Sequence, residues 1–405
     1  MNDTAKSQRR EAPVRPAMAE LPESHIVAVW QLGFEVDDVV GLWVGEGDLP
    51  TPQFICDEAS RALANGETFY TYKRGLPELR EAIATYHERL HGRPIDVERV
   101  IVTSAGMSAL MLAIQSLLGP GDNGVILSPT WPNAAAAMQI VGAGVREVGL
   151  EPTPTGWKLD LKKLEAACDA NTRLIYLATP GNPTGWLAED AEIAGILEIA
   201  RRRGIWILAD EVYNRFVYDR PHGATGAATE LTAAPSFLAH AEPDDPVVVV
   251  QSFSKAWAMT GWRMGWMVAP ERLGPIIDKL IEYNTSGAPP FLQRGCVVAI
   301  EQGEDFVAEM VDRCRRARDL TIQRLSAMPR VQLVPAPAAF YQMFSIDGSG
   351  ETLPFAQRMV REARVGLAPG SAFGTGGEKL FRLCYACSTE RISKAMDRLE
   401  AFLEK

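Results

Sequence analysis

Apolar positions along the chain fall into two alternating kinds of run. The stretches RVIVTS, NGVILSP, TRLIYLATP, GIWILADE, PVVVVQS and RMGWMVAP are β-rich, and several are apolar at consecutive positions, as strands buried on both faces require. Between them lie helical patterns, and SAGMSALMLAIQSLL reads as a turn leading from a strand into an amphipathic helix. Strand and helix in alternation predict an α/β fold with a mostly parallel sheet covered by helices.

After about residue 285 the pattern changes. EDFVAEMVDRCRRARDLTIQRLSAM predicts a long helix with a charged face, and VQLVPAPAAFYQMFSID a strand-like run, together a smaller α+β region. The stretch Ala224 to Pro246 is predicted to be a long surface loop. The polar first twenty or so residues, MNDTAKSQRREAPVRPAMAE, are followed by no apolar run of signal-peptide length and predict a frayed tail.

Composition narrows the class. A chain of 405 residues suggests two or three domains at roughly 100 to 200 residues each. Hydrophobic residues at 47% and charged residues at 23% match soluble globular proteins, so neither a disordered chain nor a membrane partner is expected. A formal net charge of -10 opposes a broad grip on nucleic acid but allows a local basic pocket for a small phosphate. The 6 cysteines are sparse and fit a reducing, cytoplasmic setting. Cys384 and Cys387, placed on a predicted strand, would face opposite sides, so free buried thiols are expected and no metal site.

In open parallel sheets ligands bind beyond the carboxyl ends of the strands. Collecting the residues just after each apolar run yields Gly106 and Met107, Trp131, Asn182, Asp210 and Tyr213, then Ser252, Ser254 and Lys255. Each has a chemical use at a site for an aromatic phosphate cofactor. A desolvated lysine amine forms a Schiff base with an aldehyde. The Asp210 carboxylate can keep a ring nitrogen protonated, which makes the ring an electron sink. Trp131 offers a flat face for stacking, while Asn182 and Tyr213 can hydrogen-bond a ring oxygen. Backbone amides at Gly106 and Met107, the hydroxyls of Ser252 and Ser254, and Arg263 can bind a phosphate.

The sequence resembles the fold type I pyridoxal-phosphate aminotransferases, classes I and II, of the aspartate aminotransferase superfamily. LWVGEGDLPTP, YTYKRGLPELREAI, TSAGMSALMLAI, SPTWPN, GNPTG, ADEVY, SFSKAWAMTGWRMGW, AAFY and FRLCYA carry the likeness over nearly the whole chain beyond the tail. The resemblance implies a large pyridoxal-phosphate domain over 48–285 built on a mostly parallel, seven-stranded-type sheet sandwiched by helices. A small α+β domain over 286–405 would be joined by a tail and arm over 1–47. It also implies amino-group transfer from an amino acid to a 2-oxo acid by a ping-pong route, with the cofactor held as an internal aldimine on Lys255.

By the same likeness Asp210 and Tyr213 join Lys255 in the catalytic set. Arg382 grips the substrate carboxylate, with Gly45 and Asn182 lining that pocket. Tyr70 reaches the cofactor phosphate from a neighbouring subunit, so a homodimer with shared sites is implied. GEGDLPTP, TSAGMSA and Ala338 in PAAFY depart from the family's commoner forms near the expected substrate entrance or phosphate, leaving specificity open. No particular Lys or Arg is assigned to a side-chain carboxylate. The shared carbanion chemistry leaves a C-S β-lyase as an alternative. A non-catalytic regulator is more remote, because the roughly 40 residues before GEGD hold no helix-turn-helix pattern.

Overall fold

The computed structural model describes residues 14–218 and 231–405. Its centre is a seven-stranded sheet. In chain order the strands are β1 (Val100–Thr103), β2 (Asn123–Ser128), β3 (Gly144–Gly149), β4 (Thr172–Ala178), β5 (Trp206–Asp210), β6 (Val247–Ser252) and β7 (Gly265–Val268). They lie in the order β1-β7-β6-β5-β4-β2-β3, parallel except for β7, which runs antiparallel to both β1 and β6. Six of these strands coincide with the apolar runs. The seventh, β3, sits at an edge and carries Arg146 and Glu147 toward solvent, so it lacks the continuous apolar signature of a strand covered on both sides.

Period-two alternation sends neighbouring side chains to opposite faces. Val125, Leu127, Ile175, Ile207 and Val249 pack on one face, while Ile126, Leu174, Leu208, Val248 and Val250 pack on the other. Each fully buried aliphatic chain of this kind contributes about 1.5 to 3 kcal/mol. Helix Asp190–Arg203 covers the first face through Ile193, Ile196 and Leu197. It opens on a reciprocal capping box between Glu189 and Glu192 and stops at Gly204, whose φ of 66° suits a left-handed cap. Helix Gly106–Leu117 covers the second face through Leu110, Ala113 and Ile114. Helix Pro290–Gln302 also joins the first face, burying Cys296, Ala299 and Ile300 there.

A four-stranded antiparallel sheet stands apart, in the order β8 (Val331–Val334), β9 (Tyr341–Ile346), β11 (Leu380–Cys384), β10 (Ala368–Pro369). The run VQLVPAPAAFYQMFSID is therefore two paired strands rather than one, because its prolines remove backbone donors between them. Phe344, Phe381 and Leu383 form a separate core with Val29 and Leu32 of α1 (His25–Leu32) and with Ile392, Met396 and Leu399 of helix Thr389–Leu403.

Three smaller expectations are corrected. Residues Pro16–Ala19 form a short exposed helix within the predicted tail; residues 1–13 lie outside the described residues. In the predicted surface loop, residues 224–230 also lie outside them, but Ser236 caps the helix Phe237–His240, which buries Phe237 and Leu238. Strand β11 ends at Cys384, so Cys387 is not on it; both thiols are buried and unpaired.

Candidate active site

Four of the parallel strands, β1, β2, β4 and β5, deliver their carboxyl ends to the same side of the sheet as that of β6. Because β7 is antiparallel, its first residue Gly265 pairs with Thr103 of β1 and Ser252 of β6, and this brings Arg263 to that side too. A cavity of about 440 Å³ opens there. Gly45, Gly106, Met107, Trp131, Asn182, Asp210, Tyr213, Ser252, Ser254, Lys255, Arg263 and Arg382 all line it. Of the candidate residues only Tyr70 does not. Its ring is 92% exposed in the stretch before helix Pro77–His91.

Lys255 is half-buried and donates from Nζ to the backbone oxygen of Gly45 at 2.7 Å. Desolvation pushes its ammonium down to about 8, so about a tenth of it is neutral at pH 7. Asp210, ending β5, is buried, and that burial raises its carboxyl to about 6. Tyr176 Oη and the Val212 amide each donate to it at 3.3 Å, which favours the ionised form. Tyr213 and Tyr341 share a hydrogen bond of 2.6 Å between their hydroxyls, and burial raises the Tyr213 phenol.

One end of the cavity is built from small groups and donors. Ser252 Oγ donates to Ser254 Oγ at 2.9 Å and accepts from the Ser254 amide at 3.1 Å. Gly106 opens its helix against Ser252, where a Cβ would lie 3.3 Å from the serine side chain. Arg263, at φ 55° and ψ 50°, is in the left-handed region, costing an ordinary residue about 1 to 2 kcal/mol, and Ala105, at φ 97° and ψ 155°, is in an extended positive-φ region that favours glycine, a cost on the order of 1 to 3 kcal/mol. Arg263 is exposed and, among the described residues, donates only to the Thr260 backbone oxygen, at 2.6 Å.

The opposite end centres on Arg382, which is 2% exposed. It donates from Nη1 to Asn182 Oδ1 at 2.9 Å and from Nη2 to the Trp43 backbone oxygen, and its Nε has no partner among the described residues. Its guanidinium lies 4.6 Å from the Tyr341 ring centre and 4.9 Å from that of Phe373. A buried cation with an idle donor and no carboxylate partner among the described residues is arranged for an anion that the protein itself does not supply. Gly45 keeps the space beside it open, since a Cβ there would fall 2.1 Å from Tyr341 Oη.

Several lining residues escape sequence reasoning. Tyr341 falls inside the AAFY stretch but nothing local reveals its partner. Ile26, Val27 and Trp30 from α1, with Trp43 and Val44, form an apolar wall, and no periodic signal in an eight-residue helix announces which site it will face. Among the described residues no group of acidic, histidine or cysteine side chains is placed to hold a metal, and no helix is long and apolar enough to cross a membrane.

Comparison with known proteins bears on the whole chain. Residues 37–399 match the family model for aminotransferase class I and II. An aspartate aminotransferase of Pyrococcus horikoshii is 32% identical over 401 residues, covering 98% of this chain and 99% of its own length. A probable N-acetyl-LL-diaminopimelate aminotransferase of Bacillus subtilis is 32% identical over 394 residues, covering 97% and 96%. The solved aspartate aminotransferase of Thermotoga maritima superposes with a TM-score of 0.87 at 30% identity, covering 97% of this chain and 100% of that one.

Proposed function

The chain belongs to the class I and II aminotransferases and is a pyridoxal-phosphate-dependent aminotransferase; from that premise we propose that it transfers an amino group from an amino acid to a 2-oxo acid in two ping-pong half-reactions at the cavity around Lys255. The observation that carries the reading is one cavity holding a desolvated lysine amine, a buried carboxylate and a buried guanidinium with an idle donor.

The residues present fit the cofactor. Gly106, with its helix-start amide beside Ser252, leaves a cradle that a Cβ would crowd. The amides of Gly106 and Met107, with Ser252, Ser254 and Arg263, would hold the phosphate. Asp210 would hold the ring nitrogen, Asn182 and Tyr213 the ring oxygen, Trp131 the ring face, and Lys255 the aldehyde carbon. When bound, pyridoxal phosphate supplies an electron sink for a carbanion at the substrate α-carbon.

The chain's own groups do the rest. Lys255 Nζ, poised near neutral pH by desolvation, takes the proton from the substrate α-carbon and would pass it to the carbon that carried the cofactor's aldehyde, with the reverse of this in the second half-reaction. Asp210 is ionised above about pH 6 and so presents a negative charge at working pH. Arg382 receives the α-carboxylate beside Asn182, to which its Nη1 already donates. Gly45 leaves room for that carboxylate, and Tyr341 orients Tyr213 through their shared hydrogen bond.

The reading includes a homodimer in which Tyr70 serves the neighbouring subunit's site, supported by its 92% exposure and its place outside its own cavity. It also includes a cytoplasmic setting, supported by six unpaired cysteines. Borohydride reduction of the cofactor-loaded enzyme followed by peptide mapping tests the assignment. The label is expected on Lys255, and Lys255→Ala should bind cofactor without a covalent bond and lose nearly all transfer. A label on another lysine overturns it.

A further inference from the structure

We propose that the amino donor carries a bulky uncharged side chain, of the leucine, methionine or phenylalanine class, and that dicarboxylic amino acids are poor substrates. This rests on the aminotransferase reading above and adds the specificity of its side-chain subsite.

Among the described residues the charged groups lining the cavity are Lys255, Asp210, Arg263 and Arg382. All four are committed: the first two to the cofactor's reacting carbon and ring nitrogen, Arg263 to its phosphate, and Arg382 to the substrate α-carboxylate. Among the described residues of one chain, no lining cation is left for a second carboxylate. The remaining wall is apolar, made by Ile26, Val27 and Trp30 of α1, by Trp43 and Val44, and by Met107 at the start of helix Gly106–Leu117.

The wall is held in place. Ile26 and Trp30 stand four apart and Val27 and Trp30 three apart, so they share one side of α1. The same helix sends Val29 and Leu32 into the core of the small sheet. His25 Nδ1 ties its first turn to Ser371 Oγ at 3.0 Å. Val27, Trp30 and Val44 are nevertheless 41%, 40% and 37% exposed, large apolar surfaces that a ligand's apolar side chain would cover favourably. Beyond Trp30, Trp43 and Val44 lies a neighbouring cavity whose cation, Arg391, shares it with Glu46 and Asp48. A second substrate carboxylate directed at this wall would lose water, gain no partner and meet acidic groups behind it.

The test is a stopped-flow half-reaction of the cofactor-loaded enzyme, read by the cofactor's absorbance, with leucine, methionine and phenylalanine against aspartate and glutamate. The apolar donors are expected to exceed the acidic ones by ~100-fold or more in kcat/KM, the range that a mismatched subsite produces. Val27→Lys, at a position already part-exposed, should raise glutamate and lower leucine, narrowing the gap by about tenfold, with cofactor absorbance retained as a check on folding. Acidic donors equal to or better than apolar ones would overturn the proposal and point to a cation supplied by a second subunit. A gap unchanged in Val27→Lys would overturn the placement of the subsite. An enzyme that responds to no amino acid of either class would instead overturn the aminotransferase reading beneath it.

Discussion

At the scale of single residues, Arg382 shows how a functional charge is stored in a folded chain. Its guanidinium is held by an amide oxygen, a backbone oxygen and two aromatic faces. None of these neutralises it, so the charge stays available for an anion. A planar fork can bind a carboxylate through two parallel bonds, which an ammonium cannot reproduce. Arg382→Lys is therefore expected to weaken kcat/KM for amino acids by ~2 to 4 kcal/mol while cofactor absorbance is unchanged. Equal kcat/KM in the variant and the parent would remove Arg382 from the substrate site. The residue type and its motif were legible in the sequence. The idle Nε was not, because it depends on which side chains from other elements fail to reach it.

At the scale of elements, helix Pro77–His91 carries a liability that its sequence disguises. Proline at its start and Gly92, with φ of 67°, at its end mark its bounds clearly. Its buried face, Leu79, Ile83, Tyr86, His87 and Leu90, includes an imidazole, and a second one, His91, stacks on the first with ring centres 5.6 Å apart. Trp266 Nε1 donates to His87 Nε2 at 3.0 Å, while His91 Nε2 has no partner among the described residues. Burial keeps both neutral, pushing His91 down to about 4 and His87 well below its ordinary value. The unfolded chain binds protons near 6.5 that the folded one refuses, so stability is complete above that pH and falls as pH drops toward 4. His91→Leu removes one such group and should cut the stability lost between pH 7.5 and pH 4.5 by about 2 to 3 kcal/mol. Urea unfolding at both pH values measures it, and an identical pH dependence in the variant would contradict the assignment.

At the scale of the whole molecule, exposed aromatic rings suggest assembly. Phe69, Tyr70, Tyr72 and Tyr283 are 81%, 92%, 67% and 89% exposed, more apolar surface than isolated side chains normally leave in water. If Tyr70 completes the neighbouring site, mixing Lys255→Ala subunits with Tyr70→Asp subunits should make dimers with one doubly defective site and one intact site. Such dimers would recover about half the normal activity through a two-fold, isologous interface. Mixed dimers that stay inactive would put both residues in one chain's site and refute sharing.

The sequence by itself determined the α/β class, six of the seven central strands and the residues at their carboxyl ends. Consecutive apolar positions and turn chemistry are local signals, and parallel strands necessarily deliver those ends to one side of a sheet. The tertiary structure decided the rest. The antiparallel course of β7 set Arg263 beside Ser252, and the edge position of β3 hid it from an apolar reading. The pairing of β9 with β11 put Tyr341 opposite Cys384, close to Arg382, and the docking of α1 brought Ile26, Val27 and Trp30 to a cavity built largely by distant parts of the chain. Burial then moved Lys255 and Asp210 toward neutral pH. None of these is a property of a short stretch of chain: each depends on which surfaces meet, and on the water their meeting excludes.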